Sequence, residues 1–409
     1  MTLMGVLHLV QHAAFDYQSG GFSAAVAARS DLRRVAVLVA SGVFAGLGWW
    51  VLRRRAGGTG GEPTSSVWSG QGDLWLGPTV TSGVLSEVVI GMGASLGREA
   101  APQHAGAAWA SWLSRRLSLS PDQKVVLVAC GAGAGVGAVY NVPLAGGVFA
   151  AELYLGSLTL TAVVPALIAS AIATAVAWIT LPAGPLYQVP ALPTPSASTL
   201  GFALSAGLLI GGMSAGFVRL IGWASDHRPE GWKLLVGPVL ALGVLGLLSV
   251  EYPLLLGNGR DLAQFAFDGR GAVLTLVALA ALKPVVTSMC LRGGASGGLF
   301  TPTVSFGAVV GALLGHAWAL AWPGSSPATY AVIGAAAMLG AAMQAPVSAL
   351  VFTVELTGTA GAQMVALALA VAVAVVVSRS LERRSIYSAR LSAGADAEAG
   401  PTTERRPGD

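Results

Sequence analysis

Four short turns, three that contain glycine and one rich in hydroxyl side chains, interrupt or close the apolar stretches of this 409-residue sequence. A helix that begins inside an apolar region exposes backbone N–H groups, which carry partial positive charge without a full cation. A small anion binds such donors favourably but weakly, as passage through a membrane requires. We therefore predict anion-binding sites at GTGGEP (58–63), GREAAP (97–102), GGLFTP (297–302) and SIYSA (385–389).

Side chains in these turns add chemistry that backbone donors lack. Glu99 lies between apolar stretches, and an ionisable group inside a membrane is a functional candidate. Two structural roles are the alternatives to a functional role for Glu99: it could stabilise the start of a helix, or it could pair with the neighbouring Arg98. Thr59 and Tyr387 supply hydroxyl groups that could bind an anion. The alternative is that Thr59 is an ordinary turn residue and Tyr387 an aromatic residue at the membrane interface.

Long apolar helices must position these turns. Hydrophobic residues make up 54% of the chain and charged residues 10%, whereas a soluble domain carries about 25% charged residues. A membrane-spanning helix needs about 20 apolar residues. Such stretches lie near 35–51, 79–96, 124–151, 159–181, 199–222, 233–250, 271–290, 303–322, 330–354 and 362–379. We expect an all-α polytopic membrane protein with many tilted and broken helices, whose 55 glycines permit close helix packing.

Basic residues cluster at the ends of these stretches, within a formal net charge of +4. The clusters lie at 33–34, 53–55, 115–116 and 383–384. Such clusters indicate cytoplasmic loops, and setting the topology is a sufficient reason for them. No run is long or aromatic enough to indicate a nucleic-acid partner.

Metal, disulfide and cofactor chemistry finds little support in the sequence. Cys130 and Cys290 both lie in apolar surroundings, and the five histidines show no ligand spacing. The glycine run at 131–137 lacks the βαβ context of a dinucleotide loop, so helix packing explains it better. We expect no cofactor and no metal site. A membrane-embedded enzyme would need a cluster of His, Cys or carboxylate side chains, and none is visible.

An internal repeat organises the chain. The segment GAGAGVGAVYNVPLAGGVFAAEL at 131–153 recurs without gaps, 203 residues later, as GAAAMLGAAMQAPVSALVFTVEL at 334–356. A proline, a phenylalanine and the final Glu-Leu pair coincide; this pair is Glu152 with Leu153 in the first segment and Glu355 with Leu356 in the second. Many transporters place a site at the membrane midplane between two such repeats. We therefore predict a first half over 1–190, a second half over 191–390, a linker near 184–198, and a disordered polar tail over 391–409.

The four turns taken together resemble the motif set of the CLC family of chloride channels and proton/chloride antiporters. GREAAP is similar to the family's GREGP, GGLFTP to its GxFxP, GTGGEP to a loosened GSGIP, and IYSA to its late tyrosine motif. The repeated segments resemble the family's paired dimer-interface region. Order and spacing agree over about residues 30–390, and the match is to the prokaryotic type without CBS domains.

This resemblance implies a homodimer with one anion path in each subunit. It places the central anion between the hydroxyl groups of Thr59 and Tyr387. Backbone N–H groups of Leu299 and Phe300 would bind the anion from a helix start. Glu99 would be the gate, whose carboxylate competes with chloride and moves away when it is protonated.

The sequence departs from the family pattern at several positions. Ala100 follows Glu99 where the family has glycine, and the turn around Thr59 carries one extra residue. Leu153 stands where well-known family antiporters carry a second glutamate, the inner proton relay, so the position is lost for proton transfer. The sequence before the apolar segment at 4–15 is also shorter than is usual in the family.

The sequence therefore predicts channel-like chloride transport across the inner membrane of a bacterial cell. The predicted partners are chloride and the lipid bilayer. Other small anions and protons remain possible partners, and proton-coupled chloride antiport is the first alternative. A secondary transporter of a different solute is the second. Cation coupling would need acidic residues in the apolar segments, which hold Glu87 and Glu99 and are otherwise nearly free of acids.

Overall fold

The computed structural model describes residues 2–322 and 326–391. Within these ranges the chain forms helices and no strand; an isolated bridge between Gly97 and Gly298 is the one β-type pairing. Eight of the described helices are long and apolar enough to cross a membrane. The predicted tail beyond Leu391 lies outside the described residues.

The first half contains nine α-helices that lead from the N-terminus to the linker. A π-helical turn, Ala150–Tyr154, continues α8 directly. The helices are α1 Thr2–Phe15, α2 Phe22–Ala27, α3 Asp31–Ala56, α4 Pro63–Trp68, α5 Leu76–Gly91, α6 Ala100–Arg116, α7 Pro121–Tyr140, α8 Pro143–Phe149 and α9 Leu160–Ala177.

The second half contains eight α-helices and two short 3-10 turns, Pro253–Leu255 and Ser388–Arg390. The predicted linker precedes it without a helix until α10, and its Tyr187 N–H donates to the carbonyl of Leu356 at 2.9 Å. The helices are α10 Ala197–Asp226, α11 Lys233–Glu251, α12 Arg260–Phe267, α13 Val273–Arg292, α14 Phe300–Ala319, α15 Pro327–Met343, α16 Pro346–Thr357 and α17 Gln363–Leu381.

Two apolar stretches predicted as single segments are each two helices. The C-cap residue that follows α7 is Asn141 with φ 57°, and the one that follows α15 is Gln344 with φ 54°, both left-handed. Asn tolerates the left-handed conformation better than most residues, and a residue in this conformation commonly ends a helix. The next helix then begins with proline at its first position, Pro143 or Pro346, where a missing N–H costs nothing. The same break therefore occurs at equivalent points of both repeats.

α6 is a helix that the apolar pattern does not predict. It contains His104, Gln103 and two arginines, so its mean hydropathy is low for a buried helix. Glycine allows it to pack: a Cβ atom on Gly106 would lie 2.2 Å from the carbonyl oxygen of Gly131 on α7. Backbone contact of this kind brings helices together without large apolar side chains.

Two of the basic clusters predicted to mark cytoplasmic loops lie at opposite ends of one helix. Arg34 lies in the first turns of α3 and the cluster 53–55 in its last turn, at opposite ends of one 26-residue helix. The buried Arg34 guanidinium instead donates to backbone carbonyls of Val26, Ala27 and Ser249 at 2.6–3.2 Å. We call the end of the molecule near residues 53–55 the inner end, following the positive-inside tendency.

Candidate functional site

The site is built where two of the predicted turns meet. Gly97 and Gly298 exchange two backbone hydrogen bonds, each 2.7 Å long. This bridge joins the turn before α6 to the turn before α14, so the first turns of these two helices lie side by side. One turn belongs to each half of the chain, which places the site between the repeats.

Glu99 lies in a cradle of hydrogen-bond donors at this junction, and its side chain is buried. The Phe300 N–H donates to Oε1 at 2.8 Å, and the Tyr140 hydroxyl donates to Oε2 at 2.6 Å. The Thr301 hydroxyl donates to Oε2 at 3.3 Å and also contacts the Tyr140 hydroxyl. Hydrogen bonds to an ionised acceptor are stronger than neutral ones, so the cradle is suited to an anion.

Two glycines make room for this carboxylate. A Cβ atom on Gly298 would lie 1.9 Å from Glu99 Oε1, and one on Gly97 would lie 2.2 Å from the same atom. Neither distance is possible for real atoms. The glycines of the two turns are therefore required by the space that the carboxylate occupies.

Tyr387 is connected to the cradle through a series of packed aromatic rings. Tyr140 stacks on Phe300 with ring centroids 5.4 Å apart, and Phe300 packs on Phe352 at 4.5 Å. Phe352 contacts Phe149 at 5.6 Å, and Phe149 contacts Tyr387 at 5.8 Å. Phe149 and Phe352 are equivalent positions of the repeat, so the two halves meet in the middle of this series.

The structure places the other predicted anion ligands differently. Phe300 supplies its N–H to Glu99, as a helix-start donor should. Leu299 is buried at the N-cap of α14, but no described hydrogen bond joins its N–H to Glu99. Thr59 is half-buried in the loop between α3 and α4, and within the described chain it has no hydrogen bond to Glu99 or Tyr387.

Comparison with known families identifies the family of the chain. The sequence model of the family described as "Voltage gated chloride channel" matches residues 36–379. The chain belongs to this family. The predicted resemblance is thereby confirmed, and chloride transport across the membrane is the function that membership gives to the chain.

Curated relatives agree with this assignment. A putative chloride channel protein ClcB-like of Ralstonia nicotianae is 30% identical over 341 residues, covering 79% of this chain and 77% of that protein. The voltage-gated ClC-type chloride channel ClcB of Escherichia coli is 29% identical over 317 residues, covering 76% and 74%.

Solved structures share the fold. A slow cyanobacterial Cl−/H+ antiporter superposes with a TM-score of 0.81 at 23% identity, covering 94% of this chain and 92% of the other. A CLC-type fluoride/proton antiporter gives a TM-score of 0.68 at 21% identity, covering 95% and 98%. The predicted all-α, multi-pass membrane architecture of this voltage gated chloride channel family member is confirmed.

The position that the sequence predicts to be lost for proton relay lies at the inner side of the aromatic series. Leu153 belongs to the π-helical turn and is buried, and its carbonyl accepts a hydrogen bond from the Trp68 indole at 3.3 Å. Its neighbour Tyr154 contacts Phe149 with ring centroids 5.6 Å apart. An apolar side chain here cannot hold a proton.

A charged cluster near the inner end was missed by the sequence analysis. Glu62 Oε2 lies 3.2 Å from His104 Nε2, and Glu62 Oε1 lies 3.5 Å from Arg390 Nη2. Burial alone would raise the pKa of Glu62, but His104 and Arg390 outweigh burial and hold this pKa well below its ordinary value. Buried guanidinium nitrogens of Arg228 and Arg390 have no hydrogen-bond partner in the described chain.

The signal for this cluster was present in the sequence. Glu62 is the one acidic residue of the turn at 58–63, which carries an extra residue, and it lies directly before the proline that begins α4. A carboxylate added to a motif of small residues calls for a cationic partner when the turn is buried. The partners could not be predicted because they lie on α6, after α10 and after α17.

A polar cavity lies at the opposite, outer end, next to the cradle. Arg98 separates the two, with its guanidinium carbon 5.6 Å from the centre of the Tyr140 ring. The cavity carries more positive than negative side chains and so favours the approach of anions. Its polar lining residues are His8, Gln11, Tyr17, Arg98, Asn258, Arg260 and Asp261.

Proposed function

We propose that the chain exchanges chloride for protons, with Glu99 as the gate at which the two ions compete. The observation that carries this proposal is the cradle, in which a side-chain carboxylate fills an anion-binding site. Three donors hold Glu99 there: the Phe300 N–H and the hydroxyls of Tyr140 and Thr301. Chloride can use the same donors only after the carboxylate has left.

Proton coupling follows from this competition. While Glu99 is in the cradle, its donors stabilise the ionised form. Once chloride displaces it, the carboxylate loses those hydrogen bonds in a buried setting, where an unpaired charge is costly. Taking up a proton removes the charge. Chloride occupancy and protonation of Glu99 therefore favour each other.

Passive conduction is the second candidate, and Leu153 is the observation that favours it. The curated relatives carry channel names, whereas the two solved neighbours described above are antiporters. Proton exchange without a carboxylate at position 153 needs another inner route. Glu62 and His104 are ionisable groups on that side, and they are the candidates for it.

We assign the rest of the path by the family resemblance and the geometry together. The hydrogen bond from the Phe300 N–H to Glu99 supports the role of Phe300 as an anion ligand. Leu299 is the N-cap residue of the same helix. Tyr387 lies at the inner end of the aromatic series, which supports a central site there. Thr59 completes the proposed central site from the loop before α4. Chloride is the proposed substrate, and the site has no feature that excludes other small anions.

We also propose a homodimer within the lipid bilayer. The helices that follow the repeat breaks expose apolar side chains on one face, including Leu144 of α8 and Val347 of α16. Ile168 and Ile172 of the adjacent α9 are also exposed. Light scattering of the detergent-solubilised protein should give twice the chain mass, and a single chain mass would contradict the dimer.

The deciding experiment measures proton movement in liposomes under a chloride gradient with the membrane potential clamped. Exchange predicts uphill proton movement driven by chloride, and Glu99→Gln should abolish it while chloride still passes. Glu251→Gln, an exposed carboxylate at the end of α11, is the control. Chloride flux without proton movement in the parent protein would establish the channel instead.

A further inference from the structure

We propose that Glu87 is a second proton-binding carboxylate of this transporter, and that it supplies the proton taken up by Glu99. Glu87 lies in α5 with no exposed surface, and neither carboxylate oxygen has a hydrogen-bond partner in the described chain. Burying an ionised carboxylate without a partner is very costly, so the group is held in its neutral, protonated form.

The neighbours of Glu87 on α5 contact both turns of the site. One turn earlier, a Cβ atom on Gly83 would lie 3.3 Å from the Cβ of Ala101, two residues after Glu99. The adjacent Ser86 hydroxyl donates to the carbonyl of Ser296 at 2.7 Å, just before the second turn. Residues one helical turn apart share a face. Glu87 therefore faces the first residues of α6, which directly follow the proposed gate, Glu99.

Arg98 and Glu99 are the charged groups that act on Glu87 electrostatically. α1, α3 and α6 pack against α5, and the titratable side chains on these helices are His8 and His12 of α1, Asp31 and the arginines of α3, and His104, Arg115 and Arg116 of α6. Arg98 forms no ion pair with either carboxylate in the described chain, and its Nε has no hydrogen-bond partner. Arg98 can therefore stabilise whichever carboxylate becomes charged.

The proton transfer can be written in full. Chloride displaces ionised Glu99 from the cradle, the O–H bond of Glu87 breaks, and an O–H bond forms on Glu99. Glu87 is left as a carboxylate, which the positive charge of Arg98 stabilises. Water in the outer cavity, which Arg98 and Ile90 line, then returns a proton to Glu87. This inference rests on the proposed proton coupling at Glu99.

Infrared spectroscopy tests the protonation state directly. The parent protein at neutral pH should show the carbonyl stretch of a buried carboxylic acid. This band should be missing from Glu87→Gln and retained in Glu99→Gln. Glutamine has nearly the shape of a protonated glutamate, so the variant should fold, and chloride flux checks that it does. A band that is unchanged in Glu87→Gln would overturn the proposal.

Liposome flux tests the transfer. Glu87→Gln should lower chloride-driven proton movement by about a hundredfold or more, the usual scale for losing a positioned acid, with chloride flux kept. Equal proton movement in parent and variant would overturn the role of Glu87 but leave Glu99 as the gate. If the parent moves no protons, exchange itself fails. The external-pH dependence of chloride flux then decides: a shift in Glu87→Gln supports the proton supply, and an unchanged profile refutes it.

Discussion

Glu355 caps α8, and Glu152, in the π-helical turn that continues α8, caps α16, the helix of Glu355. The Glu152 carboxylate accepts the N–H groups of Val347 and Ser348 in the first turn of α16, at 3.1 and 2.6 Å. The Glu355 carboxylate accepts the N–H groups of Leu144 and Ala145 in the first turn of α8, at 3.1 and 2.7 Å. The two halves of the chain are thus joined by equivalent residues through reciprocal hydrogen bonds.

These caps should contribute unequally to stability. Glu152 also accepts the Ser348 hydroxyl at 2.6 Å, so it has three donors and Glu355 has two. A hydrogen bond to a charged group contributes about 1.5–3 kcal/mol. We expect Glu152→Ala to lower the midpoint of thermal unfolding in detergent more than Glu355→Ala. Glu251→Ala, at an exposed carboxylate, should change it little; an equal loss there would contradict the capping role.

The Tyr140 hydroxyl should control how firmly the gate is closed. Tyr140→Phe removes one of the three donors to Glu99 and keeps the ring stacked on Phe300. Chloride in the cradle would lose the same donor, so the change acts on closure of the gate and not on chloride affinity. Losing about 1.5 kcal/mol from the closed state would favour the open gate about tenfold, measured as chloride flux at alkaline external pH. Tyr330→Phe is the matched control because the buried Tyr330 hydroxyl has no partner in the described chain. Equal fluxes in both variants would argue against this donor.

A methyl group at Gly298 should force the gate open. The added Cβ atom would overlap Glu99 Oε1, and the backbone at Gly298 does not have positive φ, so alanine is compatible with its conformation. We expect Gly298→Ala to raise chloride flux at alkaline external pH, where the parent gate is ionised and closed. Gly212→Ala on α10, where the methyl group meets open space, should match the parent. A closed gate in Gly298→Ala would show that Glu99 can be accommodated elsewhere.

Hydroxyl groups at the proposed central site should determine chloride affinity. Tyr387→Phe preserves the ring contact with Phe149 and removes the hydroxyl, and Thr59→Ala removes its proposed partner. Each hydroxyl bound to an anion contributes about 1.5 kcal/mol, so we expect each change to weaken chloride binding about tenfold. An isotherm that stays the same in Thr59→Ala would move the central site away from the loop before α4.

Acid should remove the stabilising effect of Glu62. The pKa of this carboxyl is lowered in the folded protein, so its ionised form stabilises the fold above its unfolded pKa of about 4.3. This stabilisation is lost as pH falls from there toward the lower folded value. The difference in thermal midpoint between the parent and Glu62→Gln should therefore be larger at pH 7 than at acid pH. A constant difference would mean that the charge of Glu62 contributes nothing.

The sequence by itself determined the membrane class and the family, and it predicted the two repeat halves and Glu99 as the gate. These follow from local patterns: apolar stretches of spanning length, a gapless repeat ending at Leu153 and Leu356, and turns with glycine beside Glu99. Each pattern can be recognised in the sequence because the length of an apolar stretch and the backbone freedom of a glycine are set by residues that are close together in the chain.

Only the tertiary structure decided which groups surround the gate. Tyr140 and Thr301 come from different helices than Glu99, and no spacing rule joins them. The partners of Glu62, and the absence of any hydrogen-bond partner for Glu87 in the described chain, were likewise beyond the sequence. Charge pairing inside a membrane protein depends on which buried surfaces meet. That choice is made by helix packing, where glycines let backbones approach, and it leaves no periodic signal in the sequence.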